Sequence, residues 1–303
     1  MCGIAGVFYK GPEPYGPLGK TLVDMCQELF RRGTDSAGFA IYGEPKPDTF
    51  LVRVDLDPSL FREGDGHAVA DAAGELVRVT DFKSAGHNVR LEVDSDAGGT
   101  LADRIEDRVD RARVFSIGRS MEIIKDLGAA DDIDKVYHVG QVQGSHGIGH
   151  TRMATESRVD TAHSHPFRAR PFPDIAVVHN GHITNYHKLR RRLELKGHQF
   201  STENDSEVIA VYIADRLENG HSMQDALEAS VSDLDGTFAY LVSTKEGIGL
   251  ARDQFAMKPL LFAEDDELVI LASEECAIRK VLRDPHLVPR ELQAKEVRSW
   301  LRS

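Results

Sequence analysis

The sequence predicts an α+β fold, and three observations carry that prediction. Apolar, β-prone segments come in runs, at 3–8 and 39–42 near the start and at 239–243, 248–252, 260–262 and 268–272 near the end. Helical patterns lie between those runs instead of alternating with single strands, which argues for stacked layers and against a βαβ series. No glycine pattern of the Rossmann or P-loop type joins a strand to a helix.

Taken in order, residues 3–8 read as a buried strand with Cys2 at its start. Leu18, Leu22, Met25, Cys26 and Leu29 recur at helical spacing, predicting a helix over 18–31. Residues 32–38 contain Gly33, Asp35 and Gly38 and read as a loop leading into a strand at 39–42. From about 43 to 100 the pattern is irregular, with short strand-like pieces. Residues 101–128 look helical, ended by Gly128. Residues 147–152 run from strand into loop, and 174–181 form a buried strand that ends in a turn. Helices follow at 185–196 and 206–218, with Asp205 or Ser206 as N-cap. After the four late strands comes a helix at 274–283, then a tail over 284–303.

Composition narrows the function. The chain has 303 residues, 41% hydrophobic and 28% charged, with a net charge of −12. That acidity argues against a nucleic-acid partner. The basic run Lys188-Leu189-Arg190-Arg191-Arg192 is short and reads as a solvated helix face. No apolar stretch approaches the ~18 residues of a membrane span, and the start lacks a signal-peptide layout. Cys2, Cys26 and Cys276 are three widely spaced cysteines, suggesting neither a disulfide framework nor a zinc cluster. A reducing cytoplasm fits them. Cys26 and Cys276 are expected to fill the core. The pairs His163/His165 and His146/His150 lack completing ligands, so no metal is expected.

Cys2 is the most informative residue. Removal of Met1 would leave it with a thiol and a free α-amine, whose ordinary pKa is about 7.7–8.0. One residue would then hold a nucleophile and its general base. A retained Met1 would cap that amine and remove the base. Alone, a cysteine at position 2 is as readily a bystander. Asn180-Gly181 could be a plain hairpin turn or a side-chain amide and backbone N–H placed to stabilise an oxyanion. Arg152 could form a surface ion pair or grip a carboxylate through its bidentate fork. Asp205 could cap a helix or bind an ammonium group.

Six segments decide among these readings by their order. They are Cys2-Gly3-Ile4, Arg32-Gly33-Thr34-Asp35-Ser36-Ala37-Gly38, His150-Thr151-Arg152-Met153-Ala154-Thr155, His179-Asn180-Gly181, Asn204-Asp205-Ser206-Glu207, and Ala251 through Leu260 with Arg252, Asp253, Lys258 and Pro259. Together they closely resemble the glutaminase domain of class II glutamine amidotransferases, over nearly the whole chain. The resemblance implies a four-layer αββα sandwich of the N-terminal nucleophile hydrolase type. It implies hydrolysis of L-glutamine through a Cys2 thioester, with Asn180 and Gly181 as the oxyanion hole. Arg152, Thr155 and Asp205 would bind the substrate, and Arg32 and Asp35 would brace the loop beside Cys2.

The chain also departs from that pattern. Met153 stands where sugar-phosphate-forming members usually have an aromatic residue, and Glu156 where some have histidine, which argues against the hexosamine and purine branches. The stretch from Gly38 to His150 is long, predicting an insertion within about 43–145 of a glutaminase domain spanning 2–283. No synthase half is recognisable, so the ammonia is expected to pass to a separate synthase subunit. The wording around Arg152 looks like the small subunit of glutamate-synthase-like systems, especially N-methylglutamate synthase. The flavin and iron–sulfur groups of such a complex would sit on the partner, because this chain has too few cysteines for a cluster. A glutamine-sensing or structural subunit without turnover is the alternative.

Overall fold

Strands buried on both faces read as continuous apolar runs, while strands with one wet face alternate. Residues 3–8 are of the first kind: all six are buried in the computed structural model, which describes residues 2–11, 16–46, 48–59, 61–62, 64–154 and 158–302. The chain opens with β1 (Gly3–Tyr9), α1 (Leu18–Glu28) and β2 (Ser36–Tyr42). A separate stretch follows, made of β3 (Phe50–Leu56), α2 (Asp65–Gly74), β4 (Val79–Ala85), β5 (Asn88–Val93), α3 (Leu101–Arg108) and β6 (Ala112–Gly118). Next come β7 (Met121–Leu127), α4 (Ala130–Tyr137), β8 (His146–Arg152), β9 (Phe167–Arg168), β10 (Ala176–Ile183), α5 (Tyr186–Leu195), α6 (Asp205–Glu218) and α7 (Met223–Asp233). The last elements are β11 (Gly236–Thr244), β12 (Gly247–Arg252), β13 (Leu261–Glu264), β14 (Leu268–Ala272), α8 (Glu275–Val281), β15 (Arg290–Glu291) and β16 (Val297–Leu301).

Two sheets stack face to face. The larger has the order β15-β13-β14-β1-β8-β2-β7 and the smaller β16-β12-β11-β10-β9, with antiparallel pairing throughout. Period-two alternation sorts their side chains between layers. Ile4 and Phe8 of β1, Ile148 of β8, and Ala176 and Val178 of β10 fill the space between the sheets. Ala5 and Val7 point the other way, into the core beneath α1. Val177 points from β10 onto α6, whose residues from Ser206 to Asp215 are all buried. The expected four-layer αββα sandwich is therefore present.

The sheet β4-β5-β3-β6 lies apart, with α2 and α3 on it and a core of its own that includes Val52, Val54, Val69, Leu91 and Ile105. In the chain this lobe lies between β2 and β7. Residues 284–303, expected to be a tail, instead supply β15 and β16 at the edges of the two large sheets.

Other local expectations are corrected. Residues 101–128 are a two-turn helix and two strands, not one helix. Val114-Phe115-Ser116-Ile117 and Ile123-Ile124 are rich in β-branched and aromatic residues, and Arg111, at φ 63°, breaks the chain between α3 and β6. The tight connection from β6 to β7 is fixed from far away: the Asp174 carboxylate accepts from the backbone N–H groups of Ser120 and Met121 at 2.9 and 2.8 Å. The helix α7 carries a capping box between Ser222 and Asp225, a signal present in the sequence. Cys26 is buried, but Cys276 is exposed, because Ala277 and Ile278 take the inward face of α8. Among the described residues no helix is long and apolar enough to cross a membrane.

Candidate active site

Cys2 immediately precedes β1, and its parity with Ile4 turns it toward the smaller sheet. It lines a cavity of about 450 Å³ with Arg32, Arg152, Asn180, Gly181 and Asp205. The backbone of Cys2 is held from two sides: its carbonyl accepts from Arg32 Nε at 2.9 Å and from Asn180 Nδ2 at 3.0 Å. Arg32 is itself fixed by an ion pair of 2.6 Å to Glu274. The Cys2 thiol lies against the residue after Arg152, accepting from the Met153 N–H at 3.4 Å.

Asn180 sits on β10 with the same parity as Ala176 and Val178, so it crosses to the neighbouring sheet. Its Nδ2 also donates to Ser273 Oγ at 3.2 Å, so both amide protons are paired with groups beside Cys2. The sequence reading left this amide free to point into a pocket; a buried amide instead takes the nearest acceptors. Asn180 and Gly181 are also not a hairpin turn: β10 continues to Ile183. Gly181 has φ 136°, and a Cβ there would lie 2.0 Å from the Thr237 carbonyl oxygen. Only glycine fits.

The Asn180 network settles a histidine tautomer. The Cys2 carbonyl can only accept, so Nδ2 must face it, and Oδ1 must then accept from His150 Nε2 at 3.1 Å. His150 therefore carries its proton on Nε2. Burial pushes its pKa down to about 3, leaving a neutral ring. It stacks at 4.1 Å on His165, and His165 and His179 both bond Ser206 Oγ at 2.9 Å. Burial also lowers His165 and His179. The floor of the cavity is thus a buried, uncharged imidazole cluster. In the sequence His150 and His165 read as candidate metal ligands and His179 only as part of a motif, although β8 alternation puts His150 on the same face as Arg152.

Arg152 ends β8, buried, and its Nη2 donates to the Arg158 carbonyl at 3.0 Å. Asp205 is the first residue of α6 and not its cap; Asn204 caps the helix by accepting from the Ser206 N–H at 2.9 Å. The Asp205 carboxylate accepts from the Ile183 N–H at 2.9 Å, which ties α6 to the end of β10 and fixes an anion in the cavity wall. Asp35 does not line the cavity. It accepts from the Ala154 N–H at 2.8 Å and so braces the segment after Arg152. Gly33 allows the same approach, since a Cβ there would lie 2.5 Å from Arg152 N. Thr155 and Glu156 lie outside the described residues, as does Met1. Lys258 reaches the rim from a loop shaped by Asp253, which accepts from the Phe255 and Ala256 N–H groups at 2.6 and 3.1 Å. The sequence pattern around Lys258 assigns it no role. Among the described residues no group of three or more His, Cys, Asp or Glu side chains is arranged for a metal ion.

Comparison with known proteins gives the family. Residues 150–280 match the model of a glutamine amidotransferase domain. A protein of Methanothermobacter thermautotrophicus assigned to the glutamine amidotransferases is 40% identical, covering 93% of this chain and 94% of its own length. The chain belongs to the class II glutamine amidotransferases. The amidotransferase-like protein GlxB of Rhizobium meliloti is 38% identical over 92% of this chain and 91% of its own. The amidophosphoribosyltransferase of Methanocaldococcus jannaschii is 32% identical, but over 54% of this amidotransferase and 35% of that protein. Among solved structures, the glutamine phosphoribosylpyrophosphate amidotransferase of B. subtilis shares the fold, with a TM-score of 0.59 and 20% identity over 99% of this chain and 49% of that one.

Proposed function

We propose that this amidotransferase is a glutamine-hydrolysing subunit that hands ammonia to a separate synthase subunit. The observation that carries the reading is the convergence on one cavity of four groups from four elements: the Cys2 thiol before β1, the Asn180 amide from β10, the Arg152 guanidinium from β8 and the Asp205 carboxylate from α6. Free glutamine presents an α-carboxylate and an α-ammonium. Arg152 would bind the first and Asp205 the second, with Thr155 as a further contact. After removal of Met1, the Cys2 α-amine takes the thiol proton and the sulfur attacks the side-chain amide carbon. The oxyanion draws the Asn180 Nδ2 proton away from Ser273 Oγ and accepts a second hydrogen bond from the Gly181 N–H. The C–N bond breaks, the α-ammonium returns its proton to the departing ammonia, and water then cleaves the thioester to glutamate.

The partner in this proposal is a glutamate-synthase-like or N-methylglutamate synthase subunit carrying the flavin and iron–sulfur groups; this chain needs no cofactor for hydrolysis. The proposed setting is the reducing cytoplasm, which keeps the thiol reduced.

The test is substrate selectivity. L-Glutamine should be hydrolysed, and blocking either its α-amine or its α-carboxyl should raise KM at least about tenfold, the loss of one charged contact. Equal turnover of the blocked amides would point to an amide hydrolase of another kind. Replacing Asp205 with alanine should chiefly raise the KM for glutamine; an unchanged KM would remove Asp205 from the pocket.

A further inference from the structure

The segment from Arg152 to β9 forms the cavity wall at both its ends, through Met153 and His165. Its described residues are held from three directions. Arg152 Nη2 donates to the Arg158 carbonyl at 3.0 Å. Lys125 Nζ on β7 donates to the carbonyls of Ser164 and Pro166 at 2.7 and 3.3 Å. The third anchor comes from the inserted lobe: Thr161 Oγ1 donates to Asp55 Oδ2 at 2.6 Å. Asp55 is only 4% exposed and Thr161 7%.

Asp55 is built into place. It ends β3 beside Leu56, and its Oδ1 accepts from Asn88 Nδ2 at 3.2 Å, with His87 Nε2 at 3.3 Å. His87 also faces Asp126 of β7 at 3.5 Å, and Tyr137 of α4 donates to Asp126 at 2.7 Å. Lobe and sandwich are therefore joined by a buried polar cluster, and Thr161 connects that cluster to the cavity wall. Neither Asp55 nor Thr161 lines the cavity.

We propose that the inserted lobe positions the glutamine site, with Asp55 holding, through Thr161, the segment that links Arg152 to His165. Asp55 and Thr161 are positioning residues. Losing the anchor frees the backbone around Thr161, and the cost of ordering it again falls on substrate binding. The inference rests on glutamine as the substrate of this cavity.

The experiment compares the full-length wild type with Thr161→Val, which keeps the shape and loses the hydroxyl, and Thr161→Ser, which keeps the hydroxyl. Steady-state kinetics with L-glutamine are measured beside amide hydrogen exchange of residues 158–166. Thr161→Val should raise KM about tenfold, as expected for a lost hydrogen bond to a carboxylate, with kcat changed less than about threefold. Amides of 158–166 should exchange faster while β1 and β8 stay protected. Thr161→Ser should restore both. If Thr161→Val fails to fold, Thr161→Ala makes the same comparison. A folded variant with wild-type KM and wild-type exchange in 158–166 overturns the proposal. A wild type inert toward glutamine overturns the substrate assignment itself, a result separable from the first because it shows without any substitution.

Discussion

The cavity floor buries its histidines and the lobe junction half-buries one, and their proton affinities shift in opposite directions. At the floor, burial lowers His150, His165 and His179. Even His179, with Asp205 3.7 Å away, stays below its ordinary value. At the junction, the Asp126 carboxylate, with Asp55 beside it, lifts His87 above its ordinary value. The difference shows that burial alone does not fix an imidazole's charge. Two carboxylates offset the partial loss of water at His87, whereas Asp205 alone does not offset the near-complete burial of His179. The floor gains a neutral donor, His150, that holds the Asn180 amide without competing for the substrate's charges. The junction gains a clasp between lobe and sandwich, in which His87 faces Asp55 and Asp126 and which tightens when the ring is protonated.

The contrast can be broken first at the floor, where the largest effect is expected. Asn180→Ala should lower kcat by about 10²–10³, the usual loss for one oxyanion donor. Steady-state kinetics check this; a loss under about threefold would remove Asn180 from the reacting centre. Next, His150→Ala should lower kcat by about tenfold or more, because the Asn180 carbonyl loses its buried donor. His150→Gln, which can still present an N–H, should recover part of that loss. The pH profile of the recovered activity should not show a new ionisation between pH 5 and 8, since the native ring is already neutral there.

The two regions should also differ in how stability follows pH. His150 of the floor, and His146 at the other end of β8, have folded pKa values of about 3 and about 4, below an unfolded value near 6.5. The unfolded chain therefore binds more protons in that window, and stability is lost as pH falls from about 6.5 toward 4. Each tenfold change in proton affinity is about 1.4 kcal/mol, so the thermal midpoint should drop steeply over that range. His87 has the opposite sign. Its folded pKa is raised, so its contribution is full below about 6.5 and fades as pH rises through its folded value. His87→Gln should lower the midpoint at pH 6 by a few degrees and leave it nearly unchanged at pH 9. Equal losses at both pH values would deny the charged clasp.

These regions were unequally legible in the sequence. The strand before which Cys2 sits, the apolar run into Asn180 and the helix after Asp205 declare themselves through local patterns. The neutral floor does not, because it depends on which side chains meet across two sheets: His150 from β8, His165 from a loop and Ser206 from α6. Asp174, which caps the β6–β7 connection from more than fifty residues away, is why 112–127 read as helix. Asn204 was overlooked as a cap because Asp205 beside it is an equally good capping residue. The clasp at Asp55 joins residues of the lobe and the sandwich that no spacing relates.

The central claim is that Cys2 carries the reaction, and intact mass before and after treatment with the glutamine analogue 6-diazo-5-oxo-L-norleucine tests it most directly. A chain lacking Met1, a single adduct mapped to Cys2, and neither adduct nor glutamine hydrolysis in Cys2→Ala are expected. A Met1-bearing chain that takes no adduct, or glutamine turnover that persists in Cys2→Ala, would contradict it.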